Sequence, residues 1–178
     1  RAFLRIREEW SDIKRLRRFL PPRHQTAMFS ATMSAAVQRL SQEFLHSPRW
    51  IDVSGGQLHH NHMQHVYCVV DPMLRDRVLM QLIELENPES AIVFCNTIRD
   101  VEYLTTVFQR FGYDADMLSG DLSQSRRDDV MKRVKTKVLR FLVATDIAAR
   151  GIDISLLSHV FHYGIPDDLE MYIHRSGR

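Results

Sequence analysis

The chain has little cysteine, little net charge and no long hydrophobic run. Its only cysteines, Cys68 and Cys95, lie in apolar runs, so we predict buried reduced thiols and no disulfide. No stretch is apolar for long enough to span a bilayer, and the charged residues 1–5 lack a signal-peptide core. A net charge of +2 permits a nucleic-acid partner without arguing for one. The content of 44% hydrophobic and 26% charged residues is ordinary for a globular protein and gives no indication of a disordered or fibrous chain.

Short apolar runs bounded by turn signals recur along the chain. Several are rich in β-branched residues and nearly unbroken, which is typical of strands covered on both faces. Helical spacing of apolar residues over 98–111 and 124–137 separates some of them. Strands that alternate with helices predict an α/β fold built on a parallel sheet. The predicted strands lie at residues 26–29, 65–70, 91–95, 113–117, 140–144 and 159–163.

The sequence predicts two domains, neither of them complete. Residues 1–53 predict a helix at about 8–19, a Pro21-Pro22 turn, a strand, a helix at about 34–45 and a short strand. This is too small to bury a core alone, so we expect the C-terminal portion of a domain whose beginning is absent. Residues 54–62 are polar, contain glycine and lack periodicity, which indicates a linker. Residues 63–178 would then form most of a second domain, truncated at its end.

A cluster of histidines in and after the linker invites a metal interpretation. The linker contains no acidic or thiol residue that could join these histidines, whereas zinc sites need a full set of ligands. We therefore predict no metal site among these residues. The histidines are His59, His60, His62 and His65.

Small polar residues follow the predicted strands. Ligands of an open parallel sheet bind outside the carboxyl ends of its strands, and hydroxyls and backbone N–H groups suit phosphate and sugar contacts. Each group alone is also explained by turn formation or helix capping. Four such groups on one edge favour a site. They are Asn96-Thr97, Ser119-Gly120-Asp121, Thr145-Asp146 and Gly164.

Two further pairs of residues fit the same edge. Gln124 and Arg127 are three apart, so they share a helical face that can point back to the strand ends; ordinary surface charge is the alternative. Gly151 allows close backbone approach, and Asp153 could accept ribose hydroxyls. For Asp153 a turn or an ion pair with Arg150 is the alternative.

Two arginines, Arg175 and Arg178, close the sequence. A helix predicted over 168–175 would make them project together toward the strand-end edge. Guanidinium groups bind phosphate oxygens bidentately, and two of them could stabilise a transferring γ-phosphoryl group, worth roughly 10³–10⁵ in rate. A solvated helix face is the alternative for such a pair.

In this order the segments resemble the DEAD-box family of ATP-dependent RNA helicases, over essentially the whole chain. The family motifs are Ser-Ala-Thr, Phe-x-x-Thr, Gly-Asp with Gln-x-x-Arg, Ala-Thr-Asp-x-x-x-Arg-Gly-x-Asp, and His-Arg-x-Gly-Arg. The corresponding segments are Ser30-Ala31-Thr32, residues 91–97, residues 120–127, residues 144–153 and residues 174–178.

The resemblance implies two RecA-like domains, with this chain holding the end of the first and most of the second. It implies that Arg175 and Arg178 contact the γ-phosphate of ATP, with Gly151 and Asp153 at the nucleotide and Asp153 on its ribose. His174 would bridge to Ser30 and Thr32 across the domain cleft. Contacts to the RNA sugar-phosphate backbone, without sequence specificity, would come from Thr97, Gly120, Asp121, Gln124, Arg127 and Thr145.

The chain departs from the family pattern in places. Ser119 stands where histidine is common, and Ser176 where an aliphatic residue is common. The phosphate loop, the adenine-reading glutamine segment and the Asp-Glu-Ala-Asp motif that binds Mg²⁺ are expected before Arg1, so we expect the isolated chain not to hydrolyse ATP. We expect the parent to be a cytoplasmic helicase and ATP hydrolase, or a nuclear one in a eukaryote. The alternatives are a non-catalytic RNA-binding or regulatory module, and a related DNA helicase, which the motifs disfavour.

Overall fold

The computed structural model describes residues 12, 14–30, 35–53, 63–149, 152, 157–167 and 169–176. The chain divides into two compact units, residues 1–55 and 56–178. The predicted linker at 54–62 lies outside the described residues. The assignment of 1–53 and 63–178 to two RecA-like domains stays a prediction.

The first unit contains helical segments and, in its described part, no strand. Residues 14–17 are helical, and helix α1, Ala35–Phe44, confirms the helix predicted at about 34–45. Lys14 Nζ lies 2.6 Å from Glu43 Oε1 and joins the two helical segments. The strands predicted at 26–29 and before the linker are wrong, because an apolar run needs a neighbouring strand to pair with. Phe29 is accordingly 95% exposed.

The second unit is built on four parallel strands in the order β2-β3-β1-β4. This confirms the predicted α/β class and the strands predicted in the second half of the chain. Parallel neighbours need crossover connections, and helices supply most of them here. The strands are β1, Ala91–Cys95; β2, Ala115–Leu118; β3, Phe141–Thr145; and β4, His159–His162.

The strand predicted at 65–70 is not present. The segment runs without strand pairing, and Val66, Tyr67 and Val69 are 76–95% exposed. As a result Cys68 is exposed, so the prediction that it is a buried thiol is wrong. Cys95 is free and buried in β1 as predicted, and its burial raises the pKa of the thiol to about 12.

Local signals set the helix ends. The side chains of Asp71, Thr97 and Ser123 each accept a hydrogen bond from a backbone N–H in the turn that follows, as N-cap residues do. Asn87 ends the helix after Asp71 with a left-handed φ of 44°. The helices are a 3₁₀ turn at Pro72–Leu74, α2 at Arg75–Glu86, α3 at Ile98–Arg110, α4 at Gln124–Lys135, α5 at Asp146–Ala149 and α6 at Leu169–Ser176.

The core has two layers, one on each face of the sheet. Alternate residues of the fully buried β1 contribute to each layer: Val93 packs with α2 and α3, whereas Ile92 packs with α4 and α5. In the first layer the rings of Phe108 and Phe141 lie 5.1 Å apart. Full burial of each such side chain stabilises the fold by about 1.5–3 kcal/mol.

The strand order indicates where a ligand of this sheet would bind. The connection from β1 to β2 runs through α3 on one face of the sheet. The connection from β3 to β4 begins with α5 on the other face, yet β1 and β3 are neighbours. Ligands of open α/β sheets bind where connections diverge in this way. A ligand is therefore expected beyond the carboxyl ends of β1 and β3.

Candidate functional site

The four strands end at the same level. Cys95 is paired with Thr145, Leu118 with Ala144, and Phe94 with His162. The residues that follow each strand therefore lie side by side along one edge of the sheet. Of the predicted RNA-contacting residues, Thr97, Gly120, Asp121 and Thr145 come directly from this strand-end edge.

Thr97 is exposed and serves as a helix cap. Its hydroxyl accepts a hydrogen bond from the Asp100 backbone N–H at 3.1 Å and donates one to Asp100 Oδ2 at 2.7 Å. The structure thus contains the helix cap that was the alternative explanation for Thr97. A hydroxyl oxygen has two lone pairs, so a ligand donor could still share it.

Gly120 and Asp121 offer an open surface after β2. Both are exposed, and a Cβ atom added at Gly120 would meet nothing within 4 Å. A ligand backbone can therefore approach the peptide at this position without steric hindrance. Ser119, by contrast, is only 5% exposed.

The first turns of α4 carry Gln124 and Arg127 next to the end of β3. Gln124 Nε2 donates to Asp128 Oδ1 at 2.8 Å. Half-buried Arg127 donates from Nη2 to the Ala148 carbonyl at 2.7 Å. Arg127 thereby joins α4 to α5, which begins directly after Thr145. The structure brings these three predicted residues into one neighbourhood.

A buried carboxylate, Asp116 in β2, anchors the same helix. Its Oδ2 accepts from Arg126 Nη2 at 2.8 Å and from Arg133 Nη1 at 2.5 Å. Its Oδ1 accepts from the Met117 backbone N–H at 2.9 Å. The sequence gives no warning of this role, because Asp116 lies inside an apolar run and its partners are 10 and 17 residues away.

Arg175 is the most tightly held polar side chain of the site. It is 2% exposed, and its guanidinium binds Asp146 bidentately, from Nε at 2.5 Å and from Nη2 at 2.7 Å. It also donates to the Gly164 carbonyl at 2.5 Å and to Asn96 Oδ1 at 2.9 Å. The group lies over the Phe94 ring, 5.3 Å from its centroid. These four bonds attach α6 to the ends of β1, β3 and β4.

This placement differs from the predicted one. Arg175 was expected to project from the helix toward a phosphate group, whereas in the structure its guanidinium makes four hydrogen bonds to acceptors of the protein. The sequence does not indicate these partners, because Asn96, Asp146 and Gly164 belong to loops far away in sequence. Their polar character at strand ends was the only signal in the sequence.

A close contact accompanies the Arg175 network. Asn96, which accepts from Arg175, donates from Nδ2 to the Ile165 carbonyl at 2.9 Å. A Cβ atom added at Gly164 would lie 2.7 Å from Asn96 Cγ. Only glycine fits position 164 while Asn96 keeps both bonds.

Tyrosine hydroxyls fix the end of β4 from the side. Asp76 in α2 accepts from Tyr103 at 2.5 Å and from Tyr163. Burial first, and then the bond to Asp76, raise the pKa of Tyr163; the same carboxylate raises the pKa of Tyr103. Arg75 lies over the Tyr163 ring at 5.1 Å. The residue beside Gly164 is thus held by α2 and α3.

The remaining predicted residues are placed as follows. His174 is half-buried in α6, and Ser30 is exposed in the first unit. Four predicted residues lie outside the described residues, namely Thr32, Gly151, Asp153 and Arg178. The described part of the chain contains no group of three or more His, Cys, Asp or Glu that could hold a metal ion. None of its helices combines the length and apolar character needed to cross a membrane.

Comparison with known proteins gives a consistent result. Residues 75–178 match the helicase conserved C-terminal domain. The chain is 38% identical to the DEAD-box ATP-dependent RNA helicase CshA of Bacillus licheniformis, over 94% of this chain and 34% of that protein. The chain thus spans about a third of the length of the curated relatives it matches.

Two solved structures extend the likeness to three dimensions. A DEAD box protein from Methanococcus jannaschii is 33% identical with a TM-score of 0.61, covering 84% of this chain and 40% of that one. S. cerevisiae dbp5 bound to gle1 and ip6 is 27% identical with a TM-score of 0.70, covering 92% and 42%. The resemblance stated from the motifs is confirmed.

Proposed function

We infer that this chain, which belongs to the helicase conserved C-terminal domain family, is the RNA-gripping and ATP-completing part of a DEAD-box ATP-dependent RNA helicase. The attachment of α6 to the strand-end edge through Arg175 and Asp146 carries this inference. This attachment holds Arg175, in the last turn of α6, against the edge that carries the proposed RNA-contacting residues. The relatives are named as ATP-dependent helicases, so a non-catalytic RNA-binding module is not favoured.

RNA would lie along the strand-end edge. The exposed hydroxyl of Thr97, the open backbone at Gly120 and the half-buried hydroxyl of Thr145 are suited to phosphate and sugar oxygens. Asp121, Gln124 and Arg127 would complete the contact from the next loop and the start of α4. Such contacts hold the strand without reading its bases.

ATP would lie between this chain and an ATP-binding domain. We assign the phosphate contact to Arg178, because Arg175 is buried and makes four hydrogen bonds to Asp146, Gly164 and Asn96. Arg175 then acts as a positioning residue rather than a phosphate ligand. Gly151 and Asp153 would contact the nucleotide.

Closure of the cleft would couple the two ligands. His174 would then meet Ser30 and Thr32, and the arginine segment would approach the γ-phosphate, where charge develops in the transition state. A strand gripped in a bent form no longer fits a duplex, and each lost stacking step costs about 1.4 kcal/mol on the DNA scale. Hydrolysis and phosphate release would reopen the cleft. We propose Mg²⁺ as the ion that accompanies ATP, held outside the described residues.

The experiment is RNA-stimulated ATP hydrolysis by the full-length protein with Arg178→Ala. Turnover should fall by roughly 10³-fold or more, while RNA affinity without nucleotide stays near wild type. The control is Arg110→Ala. Arg110 is exposed at the end of α3, which begins at the strand-end edge and runs away from it. RNA affinity should decrease with salt by about 0.7 log units per log salt for each phosphate contacted. Wild-type turnover in Arg178→Ala, or a flat salt response, would refute the proposal.

A further inference from the structure

The last turn of α6 is held at a second point, besides Arg175. Ser176 is 5% exposed, and its hydroxyl lies 3.1 Å from His162 Nε2 at the end of β4. The two residues are 14 positions apart in sequence. Ser176 also departs from the aliphatic residue common in the family, and its hydroxyl has a partner in His162.

Aromatic contacts fix the His162 ring. It stacks on Phe94 of β1 at 6.1 Å between centroids and on Tyr172 of α6 at 5.0 Å, with interplanar angles of 25° and 30°. The Tyr172 hydroxyl bonds to His65 Nδ1 at 2.5 Å. Arg175 lies over the other partner, Phe94. The imidazole thus belongs to a column of groups that connects α6 to the sheet.

Stacking alone does not explain a histidine at this position. His162 Nδ1 is buried and has no hydrogen-bond partner, and a buried polar atom without a partner is unfavourable. A phenylalanine would stack between the same neighbours without that cost. The polar contact that accounts for the imidazole is the one from Nε2 to Ser176.

We propose that His162 and Ser176 form a positioning pair, which fixes the end of α6 and thereby directs Arg178 to the phosphate of ATP. The inference rests on the proposed function, because it concerns the same hydrolysis. Only Gly177 separates Ser176 from Arg178 in the sequence. A change in the direction of the last turn of α6 would therefore displace Arg178. The rate of ATP hydrolysis would fall, because catalysis is sensitive to such misplacement.

The surroundings keep the imidazole neutral. Burial, and then the positive charge of Arg175, lower the pKa of His162 to about 4, although Asp146 acts in the opposite direction; His65 adds a smaller lowering effect. A neutral ring can either donate to or accept from the Ser176 hydroxyl, depending on its tautomer. Protonation would introduce a second positive charge beside Arg175.

The test measures RNA-stimulated ATP turnover in the full-length protein. Ser176→Ala and His162→Phe should each reduce kcat by roughly three- to tenfold, the effect of one lost hydrogen bond, with KM for ATP within about twofold. The double variant should lose no more than either single one, because both remove the same interaction. His159→Phe, on the same strand but at its other end, is the matched control and should behave as wild type.

A second measurement does not depend on activity. The ring nitrogen NMR signals of His162 in the 178-residue chain should report a neutral ring from pH 7 to 5, and Ser176→Ala should shift the Nε2 signal. Ser176→Thr, which keeps the hydroxyl, should restore it. An ordinary titration near pH 6.5, or an Nε2 signal unchanged in Ser176→Ala, would overturn the pair even if the alanine variant were unstable.

The two hypotheses separate cleanly. If Arg178→Ala abolishes turnover while both single variants stay within twofold of wild type, the positioning pair is refuted and the proposed function stands. If Arg178→Ala turns over ATP as wild type does, the proposed function fails and the pair fails with it.

Discussion

Replacement of Arg175 by alanine distinguishes a structural anchor from a phosphate ligand. An arginine whose side chain is exposed and free to bind a ligand contributes little to folding stability. The Arg175 side chain is instead 2% exposed and makes four hydrogen bonds, two of them to Asp146. Removing one partner of a buried ion pair costs about 3–5 kcal/mol. Because the Asp146 side chain is 22% exposed and water can partly solvate it, we expect about 3 kcal/mol.

The assay is urea unfolding of the 178-residue chain followed by circular dichroism. With a denaturant dependence of about 2 kcal/mol per molar urea, the midpoint of Arg175→Ala should fall by about 1.5 M. Arg175→Lys keeps the charge but not the bidentate geometry, so it should lose about two thirds as much. Exposed Arg110→Ala should stay within about 0.5 kcal/mol of wild type. A midpoint shift below about 0.3 M for Arg175→Ala would show that the network does not hold α6 in solution.

Two further predictions concern stability. The folded-state pKa of His162, about 4, lies below its ordinary value of 6.5, so the unfolded chain binds the proton first. The free energy of unfolding should fall as pH decreases from about 6.5 to about 4 and level off above 6.5; an equally steep decrease in His162→Phe would contradict this. Asp116→Ala should cost about 2 kcal/mol, because Arg126 and Arg133 lose a shared acceptor. In urea unfolding, exposed Asp129→Ala serves as its control, and equal losses in both variants would contradict the anchoring role.

The strands of the sheet could be predicted from the sequence because the signals that indicate them are local. Runs such as Ala91–Cys95 are apolar at every position, and Thr97 and Ser123 carry recognisable cap chemistry at the helix starts. The run at 65–70 shows the limit of this reasoning. Its composition also favours a strand, but pairing depends on a neighbour that composition does not identify.

The candidate site was predictable in kind but not in detail. Polar residues at strand ends were predicted to lie along one edge of the sheet, and they do, since parallel strands place their carboxyl ends together. The bonds that hold Arg175 were not predictable, because its position on the helix gives no information about its partners. These are Asp146 and Asn96, which lie 29 and 79 residues earlier in the chain.

The absence of a side chain at position 164 makes this site unusually intolerant of mutation. A methyl group there would lie 2.7 Å from the Asn96 side chain, and Asn96 could move aside only by giving up Arg175. Even the smallest substitution, Gly164→Ala, would thus weaken the attachment of α6 to the sheet, although position 164 itself has no side chain. In a library of random variants selected for folding, position 164 should be strongly depleted of changes.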